Sequence, residues 1–164
     1  MMFSDYESFF AASTGASAAF IGLLFVALSF IDSAKSKEKT KNWRRIIANS
    51  SYAQLVDIFF VSLVALTPDP KNTYVTGCVM AAIGLIASIR LLPQTIHNEK
   101  SGHDRPTLLG LIAVGAYVTQ FVTGIGLLQR PDNKLVIRLF VLAIIILYAG
   151  ALARAWEITG IKRR

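Results

Sequence analysis

Residues 135–156 read LVIRLFVLAIIILYAGALARAW, an apolar run whose only charged residues are Arg138 and Arg154. A helix needs about 20 such residues to cross the ~30 Å hydrocarbon core of a bilayer. The two arginines lie near the ends of the run, where long cationic side chains can extend to the lipid headgroups. The segment therefore predicts a transmembrane helix.

Four other segments have the same character, at residues 9–31, 46–67, 73–92 and 107–128. They are apolar nearly all round, without the polar stripe of a helix on the surface of a soluble protein. None shows the short alternating pattern of a membrane β-strand. The chain is 54% hydrophobic and 16% charged, against about 25% charged residues in a typical soluble domain. We expect an all-α integral membrane bundle of five transmembrane helices, with residues 1–164 forming a single transmembrane domain.

The basic residues predict the orientation of this bundle. Thirteen of the Lys and Arg residues lie between spans one and two, between spans three and four, at the end of the chain, or at the adjoining ends of spans three and five, where Arg90 and Arg154 lie. Only Lys71, Arg130, Lys134 and Arg138 belong to the opposite side. The positive-inside rule then places the N-terminus outside and the C-terminus in the cytoplasm. We expect a multi-pass protein of the bacterial plasma (inner) membrane.

Turn residues divide the spans into hairpins. Pro68-Asp69-Pro70 separates spans two and three, and residues 130–133, Arg-Pro-Asp-Asn, separate spans four and five. Such short breaker-rich turns predict antiparallel helix pairs. The two longer gaps, 32–45 and 93–106, are polar and basic, so we expect cytoplasmic loops there, with Pro93 and Pro106 marking the neighbouring helix ends.

The first of these loops is expected to lie against the anionic inner leaflet, because basic residues and an indole ring both favour the headgroup zone. The residues concerned are Lys35, Lys37, Lys39, Lys41, Trp43, Arg44 and Arg45. The net charge of +7 is then explained by membrane topology. We therefore expect membrane lipids as partners and no nucleic acid.

Small residues recur at helical spacing on spans one, three and four, and on span four they are Gly115, Thr119 and Thr123. Such faces let membrane helices approach closely, which is how helices associate in lipid. The faces consist of Gly15, Ala19 and Gly22 on span one, and of Gly77, Ala81 and Gly84 on span three. From the sequence, these faces can pack either within one chain or between protomers.

Asp57 is the residue whose position most requires an explanation, because it is an ionisable residue near the middle of span two. A carboxylate at that depth costs about 2.5–3.5 kcal/mol or more, and is usually buried, paired or functional. Gln54 shares its helical face, Gln120 on span four lies at similar depth, and Arg90 and Arg138 approach from the two sides. Two interpretations follow: a structural hydrogen bond or ion pair between helices, or a proton or cation site with Asp57 as the titrating group.

The segment FAASTGASAAFIGLLFVALS at residues 10–29 fits the pattern F-x4-G-A-x-A-A-x2-G-L-x-F-V-A-x-S. It resembles the first span of a group of short bacterial multi-span membrane proteins, most of them uncharacterised. The resemblance covers about an eighth of the chain and implies no catalytic residue.

Motifs for catalysis are missing from the sequence: it contains no His-Glu-x-x-His, P-loop or dinucleotide fingerprint. We expect no enzyme, no catalytic or metal site and no cofactor. The main hypothesis is a non-catalytic small integral membrane protein that acts through helix packing, as an oligomer or as an accessory or regulatory subunit of a membrane complex. The alternative is a small oligomeric channel or proton/cation-coupled transporter that uses Asp57.

Overall fold

The computed structural model describes residues 6–33, 38–98 and 105–160, with side chains for 6–29, 46–91 and 108–156. The described residues form five helices and no strand: α1 (Glu7–Ser33), α2 (Glu38–Ala65), α3 (Pro70–Asn98), α4 (Arg105–Gln129) and α5 (Lys134–Gly160). Each helix contains a segment long and apolar enough to cross a membrane. The expected all-α architecture with five helices of membrane-spanning length is confirmed.

Four of the helices form a ring. Helix α2 packs on α3, α3 on α4, α4 on α5, and α5 returns to α2. Helix α1 lies outside this ring and packs mainly on α2. We call the end of the bundle with the short connections, residues 66–69 and 130–133, the turn end, and the opposite end the loop end.

The turns set where α3 and α5 begin. The carboxylate of Asp69 accepts a hydrogen bond from the backbone N–H of Lys71, at 3.0 Å, and Pro70 occupies the first helical position, where its missing N–H is not needed. The side chain of Asn133 accepts from the N–H of Leu135, at 3.1 Å. Both residues act as N-caps that satisfy amides left without partners by the helix. Span three therefore begins three residues earlier than its apolar run suggests.

The helices also extend beyond the spans at the loop end, which corrects two expectations. Residues 38–45 belong to α2 and not to a loop, consistent with the good helix propensity of Glu, Lys and Arg. Helix α3 continues past Pro93 to Asn98, because a proline near a helix end removes one hydrogen bond without ending the helix. Lys35 and Lys37 lie outside the described residues, as do the side chains of Lys39, Lys41, Trp43, Arg44 and Arg45, so their headgroup contacts stay predictions.

The distribution of polarity is that of a protein surrounded by lipid. Large apolar side chains such as Leu23, Val79 and Ile86 are more than half exposed. The polar side chains that the bundle buries are Ser17, Ser51, Gln54, Asp57, Ser62, Thr73, Gln120, Thr123 and Arg154. In lipid, polar groups are stabilised by turning inward toward other helices.

The small residues of α3 pack within the chain. Gly77, Ala81 and Gly84 are all buried. A Cβ atom at Gly77 would lie 2.7 Å from Cζ of Phe140, and one at Gly84 would overlap the ring of Tyr117. This face therefore lets α3 approach aromatic side chains of α4 and α5.

We predict that Gly84→Ala destabilises the bundle, because the new methyl group would displace the Tyr117 ring. Overpacking of this kind lowers the free energy of unfolding by about 1–3 kcal/mol, which thermal or SDS unfolding in detergent would measure. Gly115→Ala is the matched control, since a Cβ atom at Gly115 would have no heavy atom of another helix within 4 Å. Equal stability of the two variants would contradict this packing.

Candidate functional site

The polar face of α2 points into the ring. Ser51, Gln54 and Asp57 are three residues apart, so they lie on one side of the helix, and each is at most 1% exposed. The hydroxyl of Ser51 donates to the backbone carbonyl of Ile47, at 3.1 Å. Ser51 thus has its partner within α2, and partners for Asp57 and Gln54 have to be sought on other helices.

Gln120 supplies the partner for Asp57. Its Nε2 donates to Oδ1 of Asp57 at 3.1 Å and to the backbone carbonyl of Gly77 at 3.3 Å. Because α2 and α4 are opposite members of the ring, one amide links α2, α3 and α4 across the interior. The expected contact between Gln120 and Asp57 is present.

The two arginines proposed for this site do not reach it. Arg90 and Arg138 are exposed, and neither contacts Asp57. Arg138 follows the buried Ile137, so the rotation of α5 that buries its apolar face turns Arg138 outward. Arg90 lies close to the loop end of α3, where an exposed guanidinium can extend to water or headgroups. The expectation that they approach Asp57 is wrong.

Gln54 lies against α5 inside the ring. Its two amide atoms lie 3.7 Å from the position that a Cβ of Gly150 would occupy, so the missing side chain of Gly150 makes room for the amide. Neither amide atom has a hydrogen-bond partner among the described residues. The side chain is nevertheless only 1% exposed.

Several other buried polar atoms around Asp57 also have no partner within the described part of the chain. They are Oδ2 of Asp57, Oε1 of Gln120 and the hydroxyl of Tyr117. Buried polar atoms in proteins are nearly always hydrogen-bonded or coordinated, so each unpartnered one requires an explanation. We call Gln54, Asp57 and Gln120 the polar triad.

Sequence reasoning missed two residues near the polar triad, Tyr117 and Arg154. Tyr117 precedes Gln120 by one helical turn and is 1% exposed, and its hydroxyl has no hydrogen-bond partner among the described residues. Arg154 is 8% exposed and follows Gly150 by one turn. Tyr117 could have been found from its spacing, because it lies three residues before Gln120 and so shares a helical face with it. For Arg154, the position near a span end indicated a headgroup contact instead.

The triad brings oxygen and amide groups together in the buried interior of the ring. Within the described residues, no three His, Cys, Asp or Glu side chains cluster. Its chemistry is therefore hydrogen bonding or coordination by oxygen. The side chains are closed off from solvent, and do not line an opening within the described bundle.

Comparison of the chain with protein-family models, with curated proteins and with solved structures gave no match. The resemblance of the first span to short bacterial multi-span proteins therefore stays a prediction.

We predict that Gln120→Leu destabilises the protein, because it leaves the buried Oδ1 of Asp57 without its donor. Such a loss lowers the free energy of unfolding by about 1–3 kcal/mol. Gln129→Leu, at an exposed position of the same helix, is the matched control and should have little effect.

A double-mutant cycle with Asp57→Leu isolates the pair. Coupling of such pairs between membrane helices averages about 0.6 kcal/mol and reaches about 1.7. Additive effects of Gln120→Leu and Asp57→Leu would contradict the hydrogen bond.

Proposed function

We propose that this protein is a non-catalytic membrane protein that acts by helix packing, either as an oligomer or as an accessory subunit of a membrane complex. The observation that carries the proposal is the unoccupied small-residue face of α1. Gly15, Ala19 and Gly22 are exposed, and a Cβ atom at either glycine would have no heavy atom of another helix within 4 Å.

The opposite side of α1 attaches the helix to the ring. Ser17 and Leu24 are buried, Leu24 packs with Ile47 and Ala48 of α2, and Phe20 meets Tyr148 of α5 edge to face. Only 17% of the spanning segment of α1 is buried, against 50% of that of α2. Helix α1 is thus held on one side and leaves its small-residue face toward the bilayer.

This difference between α1 and α3 supports an intermolecular role. Small residues allow close backbone contact between membrane helices, and those of α3 already make such contacts within the chain. Those of α1 have no equivalent partner among the described residues. A helix of a second copy, or of a larger complex, fits this face.

We place the protein in the bacterial plasma membrane, with the turn end and the N-terminus outside. The support is the basic asymmetry of the sequence, in which thirteen Lys and Arg residues belong to the loop end or its connections. In this orientation, the basic residues of segment 35–45 contact anionic headgroups of the inner leaflet.

A channel or transporter that uses Asp57 is the second candidate, and a separate observation favours it. Buried polar atoms of the triad have no hydrogen-bond partner within the described ring. If the triad served only as a structural hydrogen bond between helices, we would expect fewer unpartnered atoms. Because the triad is closed off from solvent, this function also requires an opening motion of the ring.

We predict that Gly15→Leu and Gly22→Leu weaken association, because the larger side chains keep a partner helix at a distance. We expect the dissociation constant of the assembly to rise by about tenfold or more, equivalent to about 1.4 kcal/mol. Cross-linking in native membranes, followed by mass measurement in detergent, would detect the change.

Gly115→Leu provides the control for these variants. Gly115 is also exposed with nothing within 4 Å of its Cβ position, but on α4 it is flanked by the large exposed side chains of Leu111, Ile112 and Val118, which already keep a partner helix at a distance. Identical assembly of all three variants and the parent would refute the packing role of α1.

We predict that the two termini lie on opposite sides of the membrane. In a Cys78→Ala background, a membrane-impermeant maleimide applied to intact cells should label Ser4→Cys and leave Lys162→Cys unlabelled until the cells are opened. Labelling of both positions, or of Lys162→Cys alone, would contradict the proposed orientation.

A further inference from the structure

Positive charge is scarce around Asp57. Among the described residues, the only hydrogen bond to its carboxylate comes from the neutral amide of Gln120, while Oδ2 has no partner. Arg90 and Arg138 are exposed. An uncompensated carboxylate inside a bilayer costs several kcal/mol and does not persist unless it binds a cation or a proton.

Arg154, which is also buried, lies at a different level of the bundle from Asp57. Gln54 of α2 lies beside Gly150 of α5, so the two residues are at the same level of the bundle. Asp57 lies three residues from Gln54 along α2, toward the turn end. Arg154 lies four residues from Gly150 along α5, toward the loop end. At 1.5 Å per residue, Asp57 and Arg154 are about 10 Å apart along the bundle. Tyr117, one turn from Gln120, is the other titratable group near this level.

Three of the unpartnered atoms are oxygen acceptors. Nε2 of Gln120 is directed at Asp57 and Gly77, while Oε1 of the same amide has no partner among the described residues. Oδ2 of Asp57 and Oε1 of Gln54 are in the same state within the described chain. Acceptors cannot satisfy one another, and Nε2 of Gln54 donates to none of them.

We propose that the polar triad is a binding site for one dehydrated alkali-metal cation, coordinated by the carboxylate of Asp57 and the side-chain oxygens of Gln54 and Gln120. Hard cations prefer such carboxylate and amide oxygens. A single carboxylate among neutral ligands balances a single positive charge. A proton on Oδ2 would serve one further acceptor, whereas a metal ion contacts all three oxygens.

This site goes beyond the packing function of α1 and does not depend on it. The cation would also be the transported ion if the protein is a channel or transporter that uses Asp57. Binding is measured in detergent without a gradient, so failure of transport in vesicles would leave the site intact, and failure of binding would leave the α1 proposal intact.

The test compares thermal unfolding of the full-length protein in NaCl and in choline chloride, at equal ionic strength and in alkaline buffer. Saturating Na⁺ should raise the unfolding midpoint of the parent by about 5–10 °C. Asp57→Asn should abolish the increase, and Gln54→Leu should raise the Na⁺ concentration required by about tenfold. Asp132→Asn, at an exposed position, should respond like the parent.

Direct binding of radioactive ²²Na⁺ to the parent, with unlabelled Na⁺ or choline as competitor, decides the question even where a variant does not fold. One saturable site per chain supports the proposal. An unfolding midpoint that is the same in Na⁺ and choline, or an Na⁺ effect that survives Asp57→Asn, would overturn it. A midpoint that rises only on acidification would also overturn it, because the site would then hold a proton.

Discussion

The structure depends on the cost of placing the Asp57 carboxylate at the centre of an apolar bilayer. Because lipid cannot solvate this group, α2 must turn its polar face inward, where Gln120 donates to Asp57 from the opposite side of the ring. The same rotation brings Gln54 beside Gly150. Helix α2 thereby becomes the element that contacts α1, α3 and α5.

Small residues have two uses in this fold. On α3 they admit the rings of Phe140 and Tyr117 and so determine how closely the ring of helices packs. On α1 the glycines lie where nothing in the described chain approaches them. Since lipid offers no hydrophobic drive for helix association, the proposed role of this protein assigns these exposed glycines of α1 to close contact with another membrane helix.

The sequence was sufficient to predict the five helices and their hairpins, because helix length and breakers are readable from it, and depth in the membrane made Gln120 one of several candidate partners of Asp57. It could not predict the rotation of each helix, since nearly uniform apolarity leaves no stripe to indicate the inner face. For that reason the sequence points Arg138 toward the interior and gives little indication of Tyr117. It also could not separate the small faces of α1 and α3, which differ only in what packs against them.

The most direct measurement is the dipolar coupling between Cγ of Asp57 and Nε2 of Gln120, by solid-state NMR on protein reconstituted in bilayers with ¹³C-labelled Asp and ¹⁵N-labelled Gln. With Nε2 at 3.1 Å from Oδ1, the two labelled nuclei should show a weak but measurable through-space coupling, and Gln120→Leu should remove the signal. No coupling at this pair, or a signal that persists in Gln120→Leu, would mean that Asp57 is not enclosed by the ring in the way described.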